Sequence, residues 1–285
     1  MKTKVLVTGA DGQLAKTLYE LYNKNNDDIE FTFVSKNQLD ITNFELVSNF
    51  FSANNFNYCI NCAAYTNVEQ AEDYIDLAFK INSEAVKNIA LTCKENKTIL
   101  IHISTDYVFD GKKESPYLET DITNPINQYG KSKLKGEQYI SNILNEHFIV
   151  RTSWLYSSYG KNFVKTIVSK IKEKADLKIT TAETGTPTSC IDLSCFLYHL
   201  IKIKSTNYGI YHFSNKGSTT WYDLAVEIAN NLNSFEGKKL IPLKYFKTKA
   251  KRPKYSVMCK NKVVLNLNFT PMNWEKALTG VLDTF

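Results

Sequence analysis

Five short apolar runs, at residues 4–8, 31–34, 58–61, 98–103 and 148–150, alternate with stretches of helical spacing in the first half of the chain. Each run is apolar almost throughout rather than at every second position, which suits strands buried on both faces. Leu14, Leu18, Leu21 and Tyr22 recur at helical spacing after the first run. Asn43 stands as an N-cap before residues 44–51, and a long helix is expected over 72–96, with Ala78, Ile81, Ala85, Ile89 and Ala90 at helical spacing. A further helix is expected from 127 to 144. Strands joined by crossover helices of the usual right hand predict an α/β fold, a doubly wound parallel sheet of the Rossmann type. Beyond Arg151 the alternation loosens, with helices expected at 162–174, 191–202, 220–231 and 273–282. Short strands near 178–180, 209–213 and 240–243 lie between them.

The composition excludes several classes of function. With 285 residues, 43% of them hydrophobic and 22% charged, the chain can bury a core without disulfide staples. No apolar run approaches the about 20 residues that span a bilayer, so no membrane partner is expected. The basic and then apolar N-terminus is interrupted by Gly9 and Asp11, too early for a signal peptide. A cytoplasmic location follows. The formal charge of +6 is concentrated in 238–262, which lacks the interleaved aromatics of a nucleic-acid surface, so no nucleic acid is expected. Cys59 and Cys62 lie three apart on a strand, where side chains point to opposite faces. No second such pair and no spaced histidines complete a ligand set, so the cysteines read as free thiols and no catalytic metal is expected.

The first strand runs into Thr8-Gly9-Ala10-Asp11-Gly12-Gln13-Leu14-Ala15, with small residues spaced as GxxGxxA. Gly9 permits a tight turn, Gly12 lets a pyrophosphate approach free N–H groups at a helix N-terminus, and Ala15 keeps the helix close to the sheet. Residues 1–152 thus read as a dinucleotide-binding domain. Residues 153–285 read as a smaller C-terminal domain, mainly substrate-binding, with some segments returning to the first sheet. An NAD site commonly has an acid at the end of the second strand, for the ribose 2′-hydroxyl. Here that place holds Ser35 and Lys36, which favours NADPH and leaves NADH open. Asp40 and Ile41 are placed to border the adenine.

Ser104-Thr105-Asp106 closes the fourth strand at the carboxyl edge, where open α/β sheets bind ligands. Thr105 or Ser104 can donate to a carbonyl there. Tyr129 and Lys133 stand four apart on the next helix, hence on one face. A phenol beside an ammonium is a proton donor whose pKa the positive charge lowers. The expected catalytic set is Thr105, Tyr129 and Lys133.

These motifs, in this order, resemble the extended short-chain dehydrogenase/reductase family, and within it the nucleotide-sugar reductases. The likeness is carried by Gly12-Gln13-Leu14, by the stretch from Asn61 through Ala63-Ala64-Tyr65 to Glu72, and by Ser104 to Gly111. It continues through Pro125 to Lys133, Arg151 to Tyr156, Gly185-Thr186-Pro187-Thr188, Thr219-Thr220-Trp221 and Arg252 to Ser256. The resemblance implies NADPH-dependent reduction of the C4 ketone of a dTDP-4-keto-6-deoxy sugar. Thr105 matches the catalytic threonine, Tyr129 the proton donor and Lys133 the lysine on the nicotinamide ribose. Ala63, Ala64 and Tyr65 match the segment bordering the cofactor; Val68, Trp154 and Arg252 match the substrate side, Arg252 at its diphosphate. Similar reductases are often homodimers, sometimes with a divalent ion such as Mg2+ at the interface, whose ligands are not located in this chain. Cys62, Ala15 and Val257-Met258 depart from the pattern. An epimerase or dehydratase of the same superfamily and a non-catalytic NADP-binding regulatory subunit remain the alternatives.

Overall fold

A computed structural model of the chain describes residues 2–23, 28–173, 176–232 and 240–285. Lys174, the expected end of one helix, and Lys238, the start of the basic stretch, lie outside the described residues.

The N-terminal half alternates as expected: β1 (Thr3–Thr8), α1 (Gln13–Tyr22), β2 (Ile29–Val34), α2 (Phe44–Asn54) and β3 (Tyr58–Asn61). Then come α3 (Ile75–Phe79), α4 (Ala85–Glu95), β4 (Ile99–Thr105), α5 (Gln128–Ile143) and β5 (His147–Thr152). The chain continues through β6 (Leu155–Tyr156), α6 (Phe163–Lys172), β7 (Leu177–Thr180), β8 (Thr184–Gly185), β9 (Thr188–Ser189) and α7 (Cys190–Lys202). It ends with β10 (Gly209–His212), β11 (Thr219–Thr220), α8 (Trp221–Asn231), β12 (Leu240–Leu243), α9 (Asn261–Leu267) and α10 (Trp274–Leu282). Asn43 and Asn127 cap α2 and α5, their side-chain oxygens accepting from the backbone N–H groups of Leu46 and Gly130.

Six parallel strands pair in the order β10-β5-β4-β3-β1-β2. The winding direction reverses between β1 and β3, which opens a crevice at their carboxyl ends. Side chains alternate between two apolar layers. Val5, Val7, Ile60, Ile101 and Phe148 pack against α1, α7 and α9, whereas Leu6, Cys59, Leu100 and Ile149 pack against α2, α4 and α5. Cys59 and Cys62 fall on opposite layers, and all six cysteines are free thiols.

The C-terminal half divides its loyalties. β10, α7 and α9 complete the first sheet and its covering layer. α6, α8, α10 and β7 build a separate apolar core containing Tyr156, Ile167, Leu224 and Leu278. There β7 pairs with β12, and the two-residue strands β6 with β9 and β8 with β11 tie the connections together.

The expected single helix over 72–96 is broken. A 3₁₀ turn at Gln70–Glu72 precedes α3, and Lys80–Glu84 between α3 and α4 is π-helical. The wider turn carries Asn82 to the segment that follows β3. Its Oδ1 accepts from the Tyr65 N–H at 2.8 Å, and its Nδ2 donates to Tyr65 O and Ser132 Oγ, both at 3.0 Å. α5 seats equally closely. A Cβ on Gly130 would lie 2.2 Å from the Tyr107 carbonyl oxygen, and one on Gly136 would lie 2.3 Å from that of Asn82. Gly130→Ala, which must push the helix off the Tyr107 carbonyl after β4, is expected to lose about 1–3 kcal/mol of stability in urea unfolding.

Candidate active site

Because β1, β3 and β4 run parallel in register, Thr8, Asn61 and Thr105 end on one edge of the sheet. A cleft of about 870 Å³ opens there, walled on its far side by the C-terminal half. Gly9 turns at φ +69°, and a Cβ on it would stand 2.8 Å from the Ala63 nitrogen. Gly12 is the N-cap of α1 and supplies no side chain to the first N–H groups. Those donors face the cleft, so the residues present fit the pyrophosphate of a dinucleotide.

Most residues singled out from the sequence come together here. Gly9, Gly12, Gln13 and Leu14 line one end, with Lys36, Asp40 and Ile41 beside them. Ala63, Ala64 and Val68 form a wall; Thr105, Tyr129, Lys133 and Trp154 form the other end. Asp40 is held below the usual carboxylate range first by the Thr42 N–H, which donates to Oδ1 at 2.9 Å, with Lys36 and Lys80 nearby. Gln13 turns its amide away from the turn, donating to Leu155 O at 3.1 Å and accepting from Asn162 at 3.2 Å.

Three expected residues lie outside the lining. The Ser35 N–H and hydroxyl donate to Gln38 Oε1 at 2.9 and 3.0 Å, closing a local turn. Tyr65 is clamped through its backbone by Asn82. Arg252 pairs with Glu69, Nη1 to Oε1, at 2.6 Å. Ser104, the alternative donor to Thr105, gives its hydroxyl to the buried carboxylate of Glu137 at 2.5 Å. That carboxylate also holds Arg151 at 2.7 Å.

Burial dominates the electrostatics. It pushes the Tyr129 phenol up to about 12; a hydrogen bond with Thr105 opposes this and the Asp106 carboxylate adds to it. Desolvation outweighs every charge acting on this phenol. Lys133, 2% exposed, donates to Ile103 O at 2.7 Å and stands 3.2 Å from His102 Nε2. Burial brings it down to about 8, against the carboxylate of Glu137. Asp106 is raised to about 7 by burial, against hydrogen bonds from the Ser256 and Thr105 hydroxyls.

Sequence reasoning passed over several lining residues. Lys80 and Ile81 arrive on the π-helical segment, which periodicity reads as ordinary helix. Trp154 adopts φ +47° and stacks on Trp221 with ring centroids 3.6 Å apart. A Cβ on Gly185 would overlap the indole of Trp154 at 2.6 Å. Both Gly185 and Trp221 stood in the resembling motifs, but only the fold makes them neighbours. Among the described residues no group of three or more His, Cys, Asp or Glu could hold a metal ion, so an Mg2+ site is not found there. No described helix is long and apolar enough to cross a membrane.

A phenol and a hydroxyl beside a dinucleotide cradle suit hydride transfer to a carbonyl, and the chain is an oxidoreductase of the short-chain dehydrogenase/reductase type. Comparison with known proteins narrows this. The model of the RmlD substrate binding domain matches residues 3–285, and the chain belongs to that family. The dTDP-4-dehydrorhamnose reductase of Aggregatibacter actinomycetemcomitans is 34% identical, covering 98% of each chain. A crystal structure of a dTDP-4-dehydrorhamnose reductase from Clostridium acetobutylicum superposes with TM-score 0.93 at 39% identity, over 99% of each chain. That of the Bacillus anthracis enzyme in complex with NADP superposes with TM-score 0.95 at 38% identity, over the whole of both chains.

The raised Asp106 pKa has a signed consequence. Its share of stability is complete below the unfolded carboxylate range and is lost as pH rises towards about 7. Asp106→Asn should therefore gain stability relative to the parent as pH climbs through that window, read by urea unfolding at several pH values. A constant difference would show that Asp106 is not buried as an acid.

Proposed function

We propose that this chain reduces the C4 ketone of dTDP-4-dehydro-L-rhamnose with NADPH, giving dTDP-L-rhamnose. The observation that carries the reading is the meeting of Thr105, Tyr129 and Lys133 with the Gly9–Gly12 turn in one cleft. The reductase names of the similar proteins, and the NADP in one of them, support it.

The α1 N-terminus and Gly12 would hold the pyrophosphate, Lys36 the 2′-phosphate and Lys133 the nicotinamide ribose. When bound, the reduced nicotinamide supplies the hydride. Negative charge then builds on the sugar carbonyl oxygen, where the Thr105 hydroxyl donates and steadies it. Tyr129 gives that oxygen its proton. A phenol near 12 is fully protonated at neutral pH, which is the form an acid needs. An alkoxide is a stronger base than a buried phenolate, so the transfer runs toward the alcohol. Trp154 and Val68 line the substrate side, Trp154 held in its turn by Trp221 and Gly185.

The direct test is spectrophotometric. Purified protein with dTDP-4-dehydrorhamnose should oxidise NADPH mole for mole; an epimerase or dehydratase that recycles its own cofactor would leave the absorbance unchanged. Tyr129→Phe should keep NADPH affinity while kcat falls by about a hundredfold or more. Near-parental turnover would remove the phenol from the reaction. Lys36→Ala should raise KM for NADPH several-fold and leave KM for NADH alone; equal changes in both would dissociate Lys36 from the 2′-phosphate.

A further inference from the structure

One buried polar group near the cleft has no part in the chemistry above. Thr8, Asn61 and His102 are register partners across β1, β3 and β4. They occupy the α5 side of the sheet, directly after the apolar row Leu6, Cys59 and Leu100. All three are buried, with His102 wholly inaccessible. Thr8 Oγ1 lies 2.7 Å from Asn61 Oδ1, Asn61 Nδ2 lies 3.1 Å from His102 Nδ1, and His102 Nε2 lies 3.2 Å from Lys133 Nζ. A polar row placed only to satisfy itself would close on itself. This one ends on the ammonium that lines the cleft.

We propose that His102 is the positioning residue for Lys133, accepting one of its N–H groups at Nε2 so that the lysine stays charged and in place for the cofactor. The inference rests on the reading of Lys133 as the cofactor's lysine. An ammonium has three donors and no lone pair. Ile103 O takes one donor, His102 Nε2 takes a second, and the third remains for the cleft. For Nε2 to accept, the imidazole is neutral with its proton on Nδ1. Asn61 meets that proton with its amide turned so that Oδ1 faces the ring and Nδ2 faces Thr8. A half-turn exchanges two atoms of nearly equal size and leaves the distances in place. Burial and the Lys133 charge hold His102 far below its ordinary pKa, in keeping with a neutral ring.

The other groups facing the pair are few. Glu137 lies one turn along α5 and favours the ammonium, Cys62 stands at the end of β3, and His147 acts on His102 from β5. None of them replaces the Nε2 acceptor.

The test compares His102→Leu, which removes the acceptor, with His102→Gln, whose side-chain carbonyl can restore it. NADPH affinity is followed by fluorescence titration from neutral to alkaline pH, with no turnover required. Loss of a hydrogen bond to a charged group should lower the pH at which affinity falls by about one pH unit in His102→Leu. At about pH 8 this weakens binding about fivefold, with little change in mildly acidic solution, and His102→Gln should follow the parent. In the apo-protein, 15N NMR of labelled imidazoles should show the His102 signal, identified by its loss in His102→Gln, with Nε2 unprotonated. The proposal is overturned by a His102→Leu profile that superposes on the parent, by equal losses in both variants at every pH, or by a protonated Nε2. Should His102→Leu fail to fold, His102→Gln and the parent spectrum still decide. A parent protein that binds NADPH but reduces no dTDP-4-keto sugar would defeat the functional reading and leave this comparison intact.

Discussion

The seating of α5 against the turn after β4 and the π-helical segment governs the site. Two glycines bring the helix to the carbonyl oxygens of Tyr107 and Asn82, closer than any side chain would allow. The closeness fixes the rotation of the helix, and with it a stripe of residues four apart. Tyr129, Lys133 and Glu137 then meet three different neighbours at the strand end: Thr105, the Ile103 carbonyl with His102, and Ser104 with Arg151. A helix set an ångström farther out would leave Lys133 and Glu137 buried without partners, which is costly for charged groups.

Burial, more than charge proximity, sets the proton affinities. The phenol rises while the ammonium and the imidazole fall, chiefly for lack of water. This arrangement suits reduction, because the acid is loaded before the substrate arrives. Residues four apart share a face, but Lys133 spends its hydrogen bonds on the strand beneath, and Tyr129 turns to Thr105.

The C-terminal half contributes in two ways. By returning β10, α7 and α9 to the first sheet it buries the layer that holds α1 upright, and with α1 the open N-terminus at Gly12. By building a second core around α6, α8 and α10 it brings Trp154 and Trp221 across the cleft as a stacked pair. The left-handed turn at Trp154 is backbone that favours glycine, and the face of Trp221 and the bare Gly185 hold it there.

What could be read without coordinates was whatever the local chain encodes. Apolar runs of strand length, the Gly9–Gly12 turn, the Asn43 cap and the four-residue spacing of Tyr129 and Lys133 are visible because each depends on neighbours a few residues away. The π-helical segment is not legible in the sequence, because Asn82 is drawn inward by Tyr65 and Ser132, partners 17 and 50 residues distant. Ser35, Tyr65 and Arg252 are expected at the cleft from their place in the chain, and what the sequence does not show is that Gln38, Asn82 and Glu69 engage them beside it. Thr8, Asn61 and His102 stand in the sequence only as isolated polar residues on apolar strands. That they form one row ending on Lys133 depends on strand register and the depth of α5, and only packing of the whole chain sets those.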